Sequence, residues 1–160
     1  MQKLLLLSFL VLSILGISCN KSSSSKCSFT ESPLVASAGE IAAVQTYLTA
    51  TSTTAIQHSS GIFYQIVNPG TGATPAVCST VTVKYRGRLT SGATFDENTT
   101  GARFVLGQLI VGWQKGIPLI KKGGSINLYI PPSLGHGSSA AGSIPANSIL
   151  IFSIELLDVQ

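Results

Sequence analysis

Acidic residues are the scarcest chemistry in this sequence. Only Glu31, Glu40, Asp96, Glu97, Glu155 and Asp158 are present, against ten Lys and Arg. A mechanism that needs several carboxylates around one centre has little to draw on. Charged residues make up 10% of the chain, well under the roughly 25% of an average soluble domain. With 44% hydrophobic residues and a mean hydropathy of +0.41, the chain is not a disordered polyelectrolyte. Its formal charge of +4 reflects few acids rather than a dense basic patch, so no nucleic-acid partner is expected. The two histidines, His58 and His136, stand far apart and away from the cysteines at any ligand spacing, which leaves no expected metal site. Neither histidine lies in a nucleophile motif. The glycines at 123–124 and 135–142 lack the following helix and Lys-Ser/Thr of a phosphate loop. No metal, nucleotide or redox cofactor is implied.

What is present begins with an export signature. Met1-Gln2-Lys3 is followed by a fourteen-residue apolar run, Leu4 to Ile17, short of the roughly 20 residues a membrane-spanning helix needs. A charged start and a short apolar run suit a secretory signal peptide over residues 1–18. The run ends Gly16-Ile17-Ser18-Cys19, which resembles a lipobox in which Cys19 is lipidated after cleavage; Gly16 stands where Leu is usual. The competing reading is an ordinary signal peptide with an incidental cysteine. Residues 19–27 are Ser-rich and polar, as a flexible lipidated tether should be. The expected location is therefore outside the cytoplasm, as a lipoprotein facing the periplasm or cell surface and held to the membrane by its lipid. In an oxidising compartment the remaining pair, Cys27 and Cys78, is expected to form a disulfide. It would close a loop of about 50 residues, worth roughly 4 kcal/mol in the chain-entropy model.

Residues 28–60 form an amino-terminal helical extension. Ser37-Ala38-Gly39-Glu40 reads as a capping box, and Ile41, Val44, Tyr47 and Leu48 follow at helical spacing. The predicted helix runs from Ala38 to Ala50. Its apolar stripe is modest, so it is expected to pack on its own domain and leave a monomer. From residue 61 the period changes to two. Strands are expected at Ile62–Val67, Val81–Leu89, Phe104–Leu106, Ile126–Ile130 and Leu150–Leu156. Phe95-Asp96 is read as part of a turn. A short helix is expected between Ile110 and Ile120, and a Gly/Ser-rich loop between Leu134 and Ser143. Lys84, Arg86 and Arg88 share one strand face, read as a solvated face rather than a binding patch. The fold class is α+β, with one curved antiparallel sheet over one short helix. Tyr85, Phe95, Phe104, Trp113 and Phe152, with Asp96 nearby, stand out as an aromatic set; core packing alone explains Phe104 and Phe152, but Trp113 after Gly112 and Phe95-Asp96 less well.

Several ordered segments resemble FKBP-type peptidyl-prolyl isomerases. They are Val81-Thr82-Val83-Lys84-Tyr85-Arg86-Gly87, Gly92-x-x-Phe95-Asp96 and Phe104-Val105-Leu106-Gly107. Gly112-Trp113-x-x-Gly116, Tyr129-Ile130-Pro131-Pro132, Ile144-Pro145-Ala146-Asn147-Ser148 and Leu150-x-Phe152-x-Ile154-Glu155-Leu156-Leu157 follow in order. The resemblance covers about residues 61 to 159 and implies an isomerase domain over 61–160, a five- to six-stranded sheet wrapped around one short helix. It implies rotation of Xaa-Pro bonds in exported proteins, without a nucleophile. It implies Trp113 as the pocket floor, with Tyr85, Phe95, Phe104 and Phe152 as walls and Asp96 at the edge facing the twisting amide. Leu109 and Ile110 would line the rim, the Ile110 N–H donating to a substrate carbonyl, and Ile144 would cover the pocket. Two departures stand out: His136 replaces a tyrosine that donates to the substrate carbonyl, and Ala102 replaces an aromatic. The segment between Gly107 and Trp113 is also shorter than in many members. Weaker binding of macrolide-type inhibitors is expected from these changes. A non-catalytic proline-binding or chaperone module on the same fold stays open as the second reading.

Overall fold

The computed structural model of the protein describes residues 27–160. The signal peptide, Cys19 and most of the proposed tether lie outside the described residues. The first regular element is helix α1, Ala38–Ala50. Its start follows from local chemistry. The Ser37 side chain accepts from the Glu40 N–H, and the Glu40 carboxylate accepts from the Ser37 N–H, a reciprocal capping box. The helix ends at Thr51, whose N–H and hydroxyl both return to the Tyr47 carbonyl.

Six strands follow: β1 Ile56–Gln57, β2 Phe63–Asn68, β3 Thr80–Leu89, β4 Thr94–Val105, β5 Ser125–Ile130 and β6 Leu150–Val159. They form one sheet in the order β1-β2-β5-β6-β3-β4, with every neighbouring pair antiparallel. Between β4 and β5 lies the short helix α2, Val111–Gly116, continued by a 3-10 turn at Ile117–Leu119. Pro118 stops the α-helical ladder there, because it has no N–H to donate.

The two faces of the sheet are buried against different helices. On the inner face, Ile126, Leu128 and Ile130 of β5 and Leu150, Phe152, Ile154 and Leu156 of β6 are buried with Trp113 of α2 and Ile117 of the 3-10 turn after it. On the outer face, Phe63, Tyr129 and Ile151 lie side by side across β2, β5 and β6. Val44 and Leu48 of α1 cover that row in a second cluster. The amino-terminal helix thus packs on its own domain. This explains why Ile151, an outward residue in a period-two reading, is buried.

Two features differ from the sequence expectation. β4 is a long strand rather than a short one at Phe104, and Phe95-Asp96 belongs to it rather than to a turn. Its pairing with β3 shifts twice: Gly87 pairs with Asp96 but Arg88 with Thr94, so Phe95 has no partner, and residues 99–101 bulge between Asn98 and Ala102. Gly101 adopts φ +116° there, a conformation few other residues tolerate. Such bulges erase the alternation by which a strand is read. The two-residue β1 is too short for any period to show.

Cys27 is joined to Cys78 by a disulfide, their Cα atoms 5.7 Å apart. Beside it Phe29 packs so closely on Gly107 that a Cβ there would come within 2.5 Å of the ring. The segment before α1 is thereby pinned beside the end of β4. Of the three strand-face cations, Lys84 and Arg86 pair with Glu155 and Glu97, exposed ion pairs of small energetic weight.

Leu48, 1% exposed, should make the extension part of the cooperative unit. Leu48→Ala is expected to lower stability by about 2–5 kcal/mol, read from urea unfolding followed by circular dichroism. A change below about 0.5 kcal/mol, the size of an ordinary surface substitution, would mean that α1 does not share the fold's stability.

Candidate functional site

The inner face opens between β3, β4, β6 and α2 into a cavity of about 360 Å³, within the size range of small-ligand sites. Trp113 is its floor. It projects from the first turns of α2 and is 4% exposed. Three rings stand nearly perpendicular to the indole: Phe152 from β6 at 5.1 Å and 86°, Tyr85 from β3 at 5.2 Å and 80°, and Phe104 from β4 at 6.1 Å and 87°. Phe95 meets Phe152 edge-on at 5.5 Å and 86°. Edge-to-face contacts place the positive rim of one ring on the negative face of the next, worth about 0.5–1.5 kcal/mol each beyond area burial.

Glycines create the room for this arrangement. A Cβ at Gly87 would lie 2.5 Å from Phe95 and 2.8 Å from Phe152, so only a residue without a side chain lets both rings meet over β3. The unpaired position of Phe95 in the β4 bulge turns its ring toward the cavity, although Asp96 beside it lines the cavity as well.

Polar groups are few. The Tyr85 hydroxyl donates to Asp96 Oδ2 at 2.8 Å. Burial, this hydrogen bond and the Asp96 charge push the Tyr85 phenol up to about 12, so it stays protonated through any physiological range. Trp113 Nε1 is buried without a hydrogen-bond partner among the described residues, unusual for a buried donor. Leu109 and Ile110 form one rim. The Gln114 amide donates to the Leu109 carbonyl at 2.7 Å and to the Gly107 carbonyl at 3.3 Å, holding that rim against α2. The opposite rim is the loop after β5, which brings His136 and Ile144 to the cavity. His136 is exposed and Ile144 is 7% exposed.

Every side chain that the sequence singled out for the pocket therefore lines this one cavity. Ala102 does not: it pairs with Val83 between β3 and β4. Ala141, Gly142 and Ser143 line the cavity and were missed. A Gly/Ser-rich loop carries no period, and the one clue was its closeness to Ile144, with which Ala141 forms an isolated bridge. A second hollow, about 470 Å³, lies over the polar outer face among Lys84, Arg86, Asn127 and Ser153. Its lining holds one aromatic ring, Tyr85, and no buried polar side chain among the described residues.

Residues 72–157 match the family model described as FKBP-type peptidyl-prolyl cis-trans isomerase. The chain belongs to that family. It is 45% identical over 105 residues to the FKBP-type peptidyl-prolyl cis-trans isomerase FkpA of Escherichia coli strain K12, a match covering 64% of this chain and 39% of that protein. The crystal structure of FkpA from Escherichia coli superposes with a TM-score of 0.70 at 39% identity, over 77% of this chain and 60% of that one. A peptidyl-prolyl cis-trans isomerase from Pseudomonas syringae pv. tomato gives a TM-score of 0.68 at 30% identity, over 76% and 94%. The chain thus spans well under half the length of the FkpA protein it matches. The fold is FKBP-like, a six-stranded antiparallel sheet with a short helix on its inner face.

Two outcomes follow from this geometry. In a spectrophotometric titration one tyrosine should ionise near pH 12, and Asp96→Asn should bring it down. The sign is that of a raised pKa: the stability linked to Tyr85 is whole below the unfolded value of about 10 and is lost as pH rises through the folded value. A titration unchanged by Asp96→Asn would contradict the assigned pair. Gly87→Ala should cost about 1–3 kcal/mol through overpacking and displace Phe95, visible as altered near-ultraviolet circular dichroism; a native spectrum and stability would show that the rings have slack.

Proposed function

We propose that this chain is a peptidyl-prolyl cis-trans isomerase acting on Xaa-Pro bonds of exported proteins, by non-covalent stabilisation of the twisted amide in the aromatic cavity. The observation that carries the reading is the Trp113 floor boxed by perpendicular rings, with Asp96 as the carboxylate on its wall.

Rotation about an amide bond faces a barrier of about 18–20 kcal/mol, because the planar form is held by resonance. For Xaa-Pro the uncatalysed step takes tens to hundreds of seconds. At the twisted state that resonance is lost, and the carbonyl carries less negative charge and the nitrogen less positive charge. An apolar, water-excluding surface penalises this state less than the planar one. Each 1.4 kcal/mol or so of preference for the twisted form is tenfold in rate. In this reading the proline ring rests on Trp113 and the walls exclude water. The Ile110 N–H on one rim and the His136 imidazole on the other each donate to a substrate carbonyl. Asp96, oriented by the Tyr85 hydroxyl, faces the rotating amide from the cavity edge. The orphaned Trp113 Nε1 is a donor that a substrate acceptor or a water at the floor would satisfy. No bond is made or broken in the step, which fits a cavity with a single acid and no activated nucleophile.

The same reading places the protein outside the cytoplasm, on the strength of the apolar amino terminus and the Cys19 lipobox resemblance, with unfolded exported chains as substrates. A second reading, a proline-binding or chaperone module, draws on His136. This exposed imidazole offers a single donor nitrogen in its neutral form and would hold the substrate carbonyl loosely.

The deciding experiment is a protease-coupled isomerisation assay on an Xaa-Leu-Pro-Phe peptide. The wild type should exceed the spontaneous rate. Asp96→Ala and Phe95→Ala should each lower kcat/KM by about tenfold or more, the loss of ~1.4 kcal/mol of transition-state preference. Folded protein that binds the peptide without accelerating its isomerisation would sink the catalytic reading in favour of the binding module.

A further inference from the structure

Residues ahead of the family match reach the cavity's closing loop. Glu40, in the first turn of α1, sets both carboxylate oxygens on the root of the loop that carries His136 and Ile144. Its Oε1 accepts from the Ser133 backbone N–H at 2.8 Å and its Oε2 from the Ser133 hydroxyl at 2.9 Å. Oε2 also accepts from the Ser37 N–H and the Ser37 hydroxyl, each at 3.0 Å. Burial pushes the Glu40 carboxyl up, but these donors outweigh it and hold the group below its ordinary range. Hydrogen bonds to an ionised acceptor are among the stronger ones in a protein. One carboxylate thus ties the start of the helix to the start of the loop.

The Ser133 N–H belongs to the Pro132–Ser133 peptide group. The carbonyl of that same group accepts from the Gly135 N–H at 2.9 Å and the Gly137 N–H at 2.8 Å. His136 lies between those two glycines. The Gly137 carbonyl accepts in turn from the Asn147 N–H at 2.8 Å, on the far side of the loop. A peptide group is planar and stiff. Held at its N–H by Glu40 and at its carbonyl by the neighbours of His136, it couples the two. Tilting this plane moves both glycines and the imidazole they flank.

We propose that Glu40 is a positioning residue for the substrate-binding loop: by holding the Pro132–Ser133 peptide it sets where His136 stands at the cavity mouth, so that the amino-terminal extension tunes the grip on an Xaa-Pro segment. The inference rests on the cavity being the proline site described above. Glu40 touches no substrate and acts through Ser133.

The test uses the full chain. Binding of an Xaa-Pro peptide is read from the fluorescence of Trp113, the only tryptophan in the sequence, and KM and kcat are measured in parallel. The ring C–H signals of His136 are followed by NMR. Glu40→Ala should raise KM and weaken peptide binding about threefold to tenfold with kcat nearly unchanged, the pattern of lost uniform binding, and should move the His136 signals. Glu40→Gln, which keeps one acceptor for the Ser133 N–H, should fall between. In a His136→Ala background the effect of Glu40→Ala should vanish, because the group it positions is gone. An equal loss in both backgrounds, or unmoved His136 signals in folded Glu40→Ala, would overturn the proposal. Binding and NMR need no turnover, so an inactive wild type would count against the isomerase reading while leaving this test decisive.

Discussion

The cavity depends on how closely α2 lies against the sheet. A Cβ at Gly112 would come within 2.5 Å of Ile130, and one at Gly116 within 2.5 Å of Leu128. These two glycines sit about one turn apart, on the helix face toward β5, with Trp113 beside the first. Alanine at either would lift the helix and carry the indole away from the rings that stand on it. The arrangement has a cost, since glycine in a helix loses about 0.5–1 kcal/mol relative to alanine. A helix as short as α2 would also not form alone in water. Burial of Trp113 and Ile117 against the sheet offsets both, so the element exists because of the contact that also builds the site.

The sheet separates two kinds of surface. Its inner face is mainly apolar and gathers the aromatic rings, with the Tyr85–Asp96 pair at the cavity. Its outer face is divided by register. The Phe63–Tyr129–Ile151 row is covered by α1. The next row, Gln65, Asn127, Ser153, Arg86 and Glu97, is polar and faces solvent. A one-residue slip would exchange the faces, so the same pairing that lets α1 dock also aims Tyr85 and Phe152 at the cavity. Glu40 joins these two systems, since it completes the cap of the outer helix and reaches the root of the inner loop.

Much of this was legible in the residues. Ser37 and Glu40 mark the start of α1 because a capping box is satisfied within one turn. Ile126, Leu128 and Ile130, and Leu150 through Leu156, show their inward face by simple alternation. β4 was not legible. The register shifts around Phe95 and at residues 99–101 remove its period, so a strand of twelve residues looked like a turn followed by a fragment. Ile151 breaks the alternation of β6 for a reason that lies in another element, the helix above it. Ala141 to Ser143 carry no signal of their own.

Local residue order settled the bounds of α1, the inward faces of β5 and β6, and the aromatic set with one acid that lines the cavity. Those features arise from interactions within a few residues, or from side-chain types that matching segments carry in order. Tertiary structure decided the bulge that frees Phe95, the second partner of Glu40, the covering of Ile151 and the closeness of α2 to the sheet. Each of these is set by packing between residues far apart in the chain, where local propensity and period have no reach.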